Sequence, residues 1–162
     1  MENNKQDIIL FEEMASNAHV ALNIMQYDGW ILKFSEGHTN RANSVSMIYP
    51  STISVNEKIQ NCEKIYSEQN LPCVFKLTDG DEQMMKLLIE RGYLLIQNVV
   101  VNPDYRRKGY DKLLCKALMS KGKCDGAKTA WLQVVQTNEG AYKLNEGLGF
   151  KKVYTYRYLK KE

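Results

Sequence analysis

Apolar residues recur along the chain with two different periods, one helical and one extended. Residues 7–20 carry apolar side chains at helical spacing. Large apolar residues also alternate with other residues at two places, Trp30, Leu32 and Phe34 with Ile31 and Lys33, and Val45 and Met47 with Ser44 and Ser46. These patterns predict an amphipathic helix followed by two strands. The polar, glycine-containing segment 35–40 predicts the turn between those strands.

The same alternation of periods continues to the end of the chain. Ser54 followed by Glu57 is typical of a helix N-terminus with a capping box. Strands that alternate with helices predict an α/β sandwich. The predicted elements are a helix from Ser54, a strand at 73–77, a helix ending at Gly92, a strand at 94–101, a helix through 110–118, a strand at 130–135, a helix at 138–148 and a strand at 151–159.

Two features of this pattern carry further information. Residues 94–101 are nearly all apolar, which predicts a strand covered on both faces. Shifted by 57 residues without a gap, Leu71–Leu94 lies on Lys128–Lys151, with Gly92 on Gly149. An internal duplication explains this match, and so does generic strand-helix-glycine punctuation, because glycine follows many helices.

Composition narrows the class of protein. A chain of 162 residues fits one domain, and a net charge of +3 gives no support for nucleic-acid binding. The polar start Met1–Asp7 predicts no secretory leader, no apolar run is long enough for a membrane span, and a cytoplasmic location is expected. The four cysteines form no Cys-x-x-Cys pair, so we expect free thiols and no metal.

Positive charge clusters after the apolar strand. Between Pro103 and Lys128 the chain has eight Lys or Arg residues against three acids, and the segment leads into a predicted helix. Free N–H groups at a helix start attract anions, and Gly109 leaves room for a phosphate. An anion site for a diphosphate is therefore expected; the alternative is an ordinary solvated basic helix start.

Two blocks of sequence resemble a known family. Val101-Asn-Pro-Asp-Tyr-Arg-Arg-Lys-Gly-Tyr110 resembles the acetyl-CoA signature of the GNAT acyltransferases, and Asn138-Glu-Gly-Ala-Tyr-Lys-Leu-Asn-Glu-Gly-Leu-Gly-Phe150 resembles their second block. The resemblance covers about residues 96–158. It implies a GNAT fold, an α/β fold with a mixed, mostly antiparallel sheet and helices on both faces.

The resemblance also assigns roles to residues. Backbone groups of Val99, Val100 and Val101 would pair with the pantetheine arm of acetyl-CoA, and Asn138 would contact the arm between strands 94–101 and 130–135. The pyrophosphate would be held by the segment Arg106, Arg107, Lys108, Gly109, Tyr110, Asp111 and Lys112.

This chain departs from the family pattern at two positions. Asp111 stands where Gly or Ala is usual and places a carboxylate beside the phosphates. Asn145 stands where the family has a Tyr as general acid, and an amide cannot give up a proton. Tyr142, three residues earlier on the same helical face, is the candidate substitute acid; its alternative role is aromatic packing.

Other residues have simpler interpretations. Tyr154, Tyr156 and Tyr158 line one face of the last predicted strand, where sheet packing is the favoured role over an acceptor pocket. His38 is a candidate general base because it lies in a loop beside Glu36.

Residues 28–93 resemble more loosely the front half of a bacterial tandem subgroup of the family. The usual first strands of a second domain are missing after Tyr93, which implies that residues 1–93 supply strands to the acetyl-CoA-binding half, 94–162, within one domain of residues 1–162. The alternative is a partner chain, and a homodimer is left open.

The resemblance predicts an N-acetyltransferase that moves acetyl from acetyl-CoA to a primary amine of a small molecule or peptide, with no metal, nucleic acid or membrane involved. Asn145 and Asp111 keep open an alternative, a catalytically silent module of the same fold that binds CoA or another protein. The sequence leaves the acceptor and the general base unassigned.

Overall fold

The computed structural model describes residues 2–96 and 110–161, except for the side chains of residues 2–4, 110 and 111. Helices and strands alternate over these ranges as the pattern predicts. The elements are α1 (Glu2–Ala18), β1 (Asn23–Tyr27), β2 (Trp30–Phe34), β3 (Val45–Met47), α2 (Val55–Glu68), β4 (Val74–Thr78), α3 (Glu82–Glu90), β5 (Leu94–Leu95), α4 (Tyr110–Cys124), α5 (Glu139–Gly147) and β6 (Tyr156–Lys160).

The six strands of the described residues form one sheet in the order β1-β2-β3-β4-β6-β5. The pairing of β3 with β4 is parallel, and the other four pairings are antiparallel. The predicted α/β class with a mixed, mostly antiparallel sheet is therefore confirmed.

One face of the sheet carries the apolar core. Trp30, Leu32 and Phe34 alternate onto this face of β2, and the Trp30 ring meets Phe75 of β4 edge-on at 5.7 Å. Helices α2 and α3 cover it with side chains that are buried in the same cluster, among them Ile59, Cys62, Tyr66 and Leu88. Burying large apolar side chains on one face of each element is what stabilises this layer.

The ends of α2 and α3 follow from local sequence. Ser54 caps α2, its hydroxyl accepting a hydrogen bond from the Glu57 backbone N–H at 3.4 Å. Helix α3 ends at Glu90, and Gly92 just beyond its C-cap has a φ of +87° that suits glycine, while the Tyr93 N–H donates to the Leu88 carbonyl. This is the hydrogen-bond pattern of a Schellman C-cap.

The opposite face of the sheet is polar and lies under α1. Register places Lys76 of β4 beside Ser46 of β3 and Tyr158 of β6, and Lys33 of β2 points the same way because Leu32 and Phe34 face the core. Glu12 of α1 contacts Lys76 from above. With α1 on this face and α2 and α3 on the other, the sheet has helices on both faces.

Three strand predictions need correction. Residues 130–135 are not a strand in the described structure, because none of its strands pairs with them and a strand requires a paired neighbour. The last strand begins at Tyr156 rather than at 151, because its partner β4 ends at Thr78, the residue paired with Tyr156.

The strand predicted at 94–101 is a strand at Leu94–Leu95 in the described part, and residues 97–101 lie outside it. Leu94 and Leu95 are exposed, because β5 lies at the edge of the sheet. The expectation of cover on both faces is wrong for these two residues.

The chain divides into two compact units. Residues 1–96 and 153–162 form the first, and residues 97–152 form the second. All six strands of the described sheet belong to the first unit, and four of them come from residues 1–93. A single domain of residues 1–162 stays a prediction.

Candidate functional site

Most of the predicted cofactor-binding residues precede α4. Tyr110 and Asp111 form its first turn together with Lys112, whose side chain is exposed. The first N–H groups of a helix have no partner within it and carry the positive end of its dipole, so this turn can receive an anion. The predicted residues Val99, Val100, Val101, Arg106, Arg107, Lys108 and Gly109 lie outside the described residues.

The C-terminal end of α4 carries basic side chains. Lys121 and Lys123 lie in its last turn, where cations favour the helix dipole, and Lys121 pairs with Asp125 at 2.5 Å. Gly126, with φ of +90°, closes the helix. The apolar stripe of α4 that includes Leu113 and Leu118 is exposed.

Helix α5 carries the second block of predicted site residues. Asn138 is its N-cap, and the side-chain oxygen accepts a hydrogen bond from the Ala141 N–H at 3.1 Å. That bond leaves the Asn138 amide NH₂ as the group that could reach a ligand. Tyr142 and Asn145 lie one turn apart on α5, and both are half-buried. The structure therefore brings the two predicted catalytic residues onto one side of one helix.

His38 is the residue that the sequence offers as a general base. It lies in the turn after β2, exposed, and its backbone N–H donates to the Ser35 carbonyl at 3.0 Å. Asn43 organises this turn by accepting from the N–H groups of Ser35 and Gly37. These contacts explain the shape of the turn without a role for the imidazole.

The polar sheet face holds a cluster that sequence analysis missed. The carboxylate of Glu12 pairs with Lys76 Nζ at 2.7 Å and accepts a hydrogen bond from the Tyr154 hydroxyl at 2.6 Å. Lys33 lies nearby, and Lys76 also lies 4.5 Å from the centre of the Tyr156 ring. The available signal was the position of each lysine between two apolar residues of a strand, but that pattern is typical of an exposed side chain.

Burial and neighbouring charges shift the pKa values of the groups in this cluster. Burial lowers the pKa of Lys76, and the Glu12 carboxylate partly reverses that shift. Burial likewise lowers the pKa of Lys33, and repulsion from Lys76 lowers it further. Burial, together with the bond to Glu12, raises the pKa of Tyr154 well above its ordinary value. Perturbed groups gathered in one place are a recognised sign of a functional site.

A second buried lysine has a structural setting. Lys58 of α2 donates to the Asp28 carbonyl and to Ser51, and its Nζ lies 4.0 Å from the centre of the Trp30 ring. The Asp28 carboxylate lies 3.3 Å from the same ammonium and accepts from the Thr52 N–H and hydroxyl. Fully partnered groups of this kind hold a turn in place.

The described residues contain no group of three or more His, Cys, Asp or Glu side chains placed to hold a metal ion. The cysteines are free, and burial raises the pKa of both Cys62 and Cys73 to about 12, so neither is a reactive thiolate. Within the ranges that the structure covers, no helix is long and apolar enough to cross a membrane.

Comparison with protein families matches residues 73–150 to the model described as Acetyltransferase (GNAT) family. The matched range contains both of the sequence blocks described above. No solved structure matches the chain.

Curated relatives are the ribosomal protein bS18-alanine N-acetyltransferases. The protein of Salmonella typhimurium is 35% identical over 78 residues, covering 46% of this chain and 52% of the relative. That of Haemophilus ducreyi is 38% identical over 56 residues (35% and 39%), and that of Escherichia coli is 40% identical over 53 residues (33% and 36%). The chain therefore spans about half the length, or less, of the curated relatives it matches.

Proposed function

Because residues 73–150 belong to the Acetyltransferase (GNAT) family, we propose that this chain is an N-acetyltransferase that moves acetyl from acetyl-CoA to a primary amine. The observation that carries the proposal is the family match itself, which spans both the Pro103–Gly109 segment and the Asn138–Phe150 block. No step of the proposal needs a metal, and a cytoplasmic location fits the use of acetyl-CoA.

In the proposed reaction the neutral amine nitrogen attacks the thioester carbonyl, the carbon–sulfur bond breaks, and CoA leaves as a thiolate that takes up a proton. The nitrogen loses its extra proton to solvent water as the amide forms. Backbone groups of Val99–Val101 hold the pantetheine, and amides from Arg106 to Lys112 hold the pyrophosphate. The first turn of α4 adds its free N–H groups to this anion site. The Tyr142 hydroxyl supplies the proton to the leaving thiolate.

The acceptor proposed first is the α-amino group of a peptide. The curated relatives are named for acetylating an alanine of a ribosomal protein. An α-amine with a pKa near ~8 is partly neutral at neutral pH, whereas a lysine amine with a pKa near ~10.4 needs a strong base. An α-amino group therefore depends less on a general base, which is unassigned in this chain.

A silent CoA-binding module is the second candidate, and Asn145 is the observation that favours it. An amide at this position can donate a hydrogen bond to the thiolate but has no proton to transfer. Binding of CoA without turnover is the expected behaviour of such a module.

Thermal unfolding with and without CoA tests the binding part of the proposal. A ligand that binds only the native state stabilises it by about 2.7 kcal/mol at a hundredfold excess over Kd, so the melting temperature should rise. Gly109→Glu should remove the rise, because a carboxylate would stand among the phosphates. Lys121→Gln is the matched control: it makes the same change of charge at the far, exposed end of α4 and should keep the rise.

Acetyl-CoA consumption with a peptide that begins with alanine tests the activity, with the N-acetylated peptide as control. Turnover with the free amine alone supports the enzyme. A thermal shift without turnover on any amine supports the silent module. No shift at millimolar CoA would contradict both.

A further inference from the structure

The polar sheet face under α1 is chemically unusual for a buried layer. Glu12 is 6% exposed, Lys33 4% and Lys76 8%, so three ionisable side chains are withdrawn from water together. Removing charges from water costs several kcal/mol for each ion, and an apolar layer of the same volume is often at least as stable. Stability alone gives little reason for these residues to lie here.

Positively charged side chains outnumber negatively charged ones in this layer. Lys33 and Lys76 repel each other, and Arg41 adds a third positive charge that acts on Lys76. The carboxylate of Glu12 is the group that attracts both lysines. Among the buried groups of this face two lysines stand against one carboxylate, so the excess charge is positive and favours an anion.

Each oxygen of the Glu12 carboxylate has its own hydrogen-bond donor, as a bound carboxylate ligand would have. One carboxylate oxygen meets the Lys76 ammonium, and the other meets the Tyr154 hydroxyl. The rings of Phe11, Tyr154 and Tyr156 lie alongside, with centroids 6.4 Å and 6.5 Å apart for the two neighbouring pairs. The carboxylate is therefore bound by two donors next to aromatic surface.

Helix α1 is held to this face by few apolar contacts. Among its described side chains, Ile8 and Ala15 are the buried apolar ones, and Leu10 is 53% exposed. The helix is also held by the two bonds of Glu12, by the contact of the Phe11 ring with Tyr154, and by a hydrogen bond of 2.5 Å from the Tyr49 hydroxyl to Glu13. Since few apolar side chains of α1 are fully buried, the bonds of Glu12 are a large part of what docks the helix, and replacing them should loosen it.

We propose that Lys76 and Tyr154 form a binding site for a carboxylate-bearing small molecule, and that Glu12 of α1 occupies it as an internal competitor. An external carboxylate replaces that of Glu12 on the same donors, and α1 lifts from the sheet as it does so. The site lies within the first compact unit and does not rest on the proposed acetyltransferase activity.

Propionate tests the proposal directly, because it is the side chain of glutamate without the backbone. In the full-length chain, propionate should saturably increase hydrogen exchange of the α1 backbone amides. Propionamide, its neutral analogue, and sodium chloride at the same ionic strength should not. Glu12→Gln keeps the shape of the competitor but removes its charge, so propionate should bind this variant about tenfold more tightly than the parent chain.

The donors are tested in the Glu12→Gln background. Tyr154→Phe retains the ring and removes one donor, so it should weaken propionate binding severalfold. Lys76→Met should abolish it. Equal responses to propionate and propionamide, or no gain in affinity in Glu12→Gln, would overturn the proposal. Retention of full affinity in Tyr154→Phe would overturn it as well, even if Lys76→Met failed to fold.

Discussion

The Asp28 carboxylate joins the turn between β1 and β2 to the segment before α2 and to Lys58 of α2. Asp28 lies in the turn between β1 and β2 with a φ of +43°, and it accepts hydrogen bonds from the N–H groups of Thr52 and Ile53, just before α2. The hydrogen bond from Ile53 is the largest of several effects that hold the pKa of this carboxyl well below its usual range. The charged form is therefore part of the folded structure.

This shift makes a prediction about acid stability. A carboxyl with a lowered folded pKa contributes stability that is present above its unfolded pKa of about 4 and is lost as the pH falls toward the folded value. Asp28→Asn tolerates the left-handed backbone but carries no charge. Its melting temperature should be below that of the parent at pH 7, and the difference should shrink between pH ~5 and ~3. Glu68→Gln, at the exposed pair with Lys64, should show no such convergence.

The two predicted catalytic residues make a kinetic prediction. Loss of a positioned acid costs about 10² to 10⁴ in rate, but a thiol with a pKa near ~8.5 leaves tolerably well as its anion, so slow transfer is expected here. Tyr142→Phe should lower the rate of acetyl-CoA consumption further, and Asn145→Tyr should raise it. Both variants must first be shown to bind CoA. An unchanged rate in Tyr142→Phe would exclude the tyrosine as the acid.

The sequence predicted the burial of single side chains less well than it predicted helices and strands, and the two lysines of the sheet show why. Lys33 and Lys76 each alternate with core residues, so the pattern correctly places them on the face opposite Trp30 and Phe75. Whether that face is wet depends on α1, which is far away in the chain. Alternation gives the direction of a side chain, and only tertiary packing decides its burial.

At the scale of elements, the helices were predictable and the strands less so. Helix α3 (Glu82–Glu90) and helix α5 (Glu139–Gly147) coincide under the 57-residue shift, and each ends in the same Schellman pattern at Gly92 and Gly149. A helix satisfies its own backbone and is capped by local residues. Segment 130–135, the counterpart of β4, has an apolar pattern but no paired neighbour among the described residues, and it is not a strand. The likeness of the two halves therefore holds for helices and fails for this strand.

The start of α5 gives a prediction at this scale, because Asn138 is both an observed cap and a proposed ligand of the pantetheine. Asn138→Ala should lower the free energy of unfolding by about 1 kcal/mol. Asn138→Asp keeps the capping oxygen and should keep the stability. If the NH₂ group binds the cofactor, Asn138→Asp should still weaken CoA binding, as measured by calorimetry.

Ser54→Ala is the control for this pair, since Ser54 caps α2 in the other unit. It should cost similar stability and leave CoA affinity unchanged. Normal CoA affinity in Asn138→Asp would restrict Asn138 to its structural role.

At the scale of the whole molecule, the sheet depends on strands from both ends of the sequence. Strand β6 lies between β4 and β5, and its Leu159 is paired with Phe75 in the core. The order of elements predicted an α/β fold, and the register that joins residues 74–78 to 156–160 could not be predicted from local pattern. Such pairings join segments far apart in the chain and depend on the packing of the complete core.

This dependence predicts how fragments behave. Residues 94–162 alone retain β5 and β6, whose ladder joins Leu94–Leu95 to Leu159 and Lys160, but they lose β4 and the apolar face that covers Leu159. A fragment of this size with so little core should show no cooperative thermal transition by circular dichroism. Adding residues 1–93 in trans should restore a transition, because that piece brings β4 and the helices that cover the core. A cooperative transition from residues 94–162 alone would show that the back half needs no strands from the front, and the single-domain proposal would then fail.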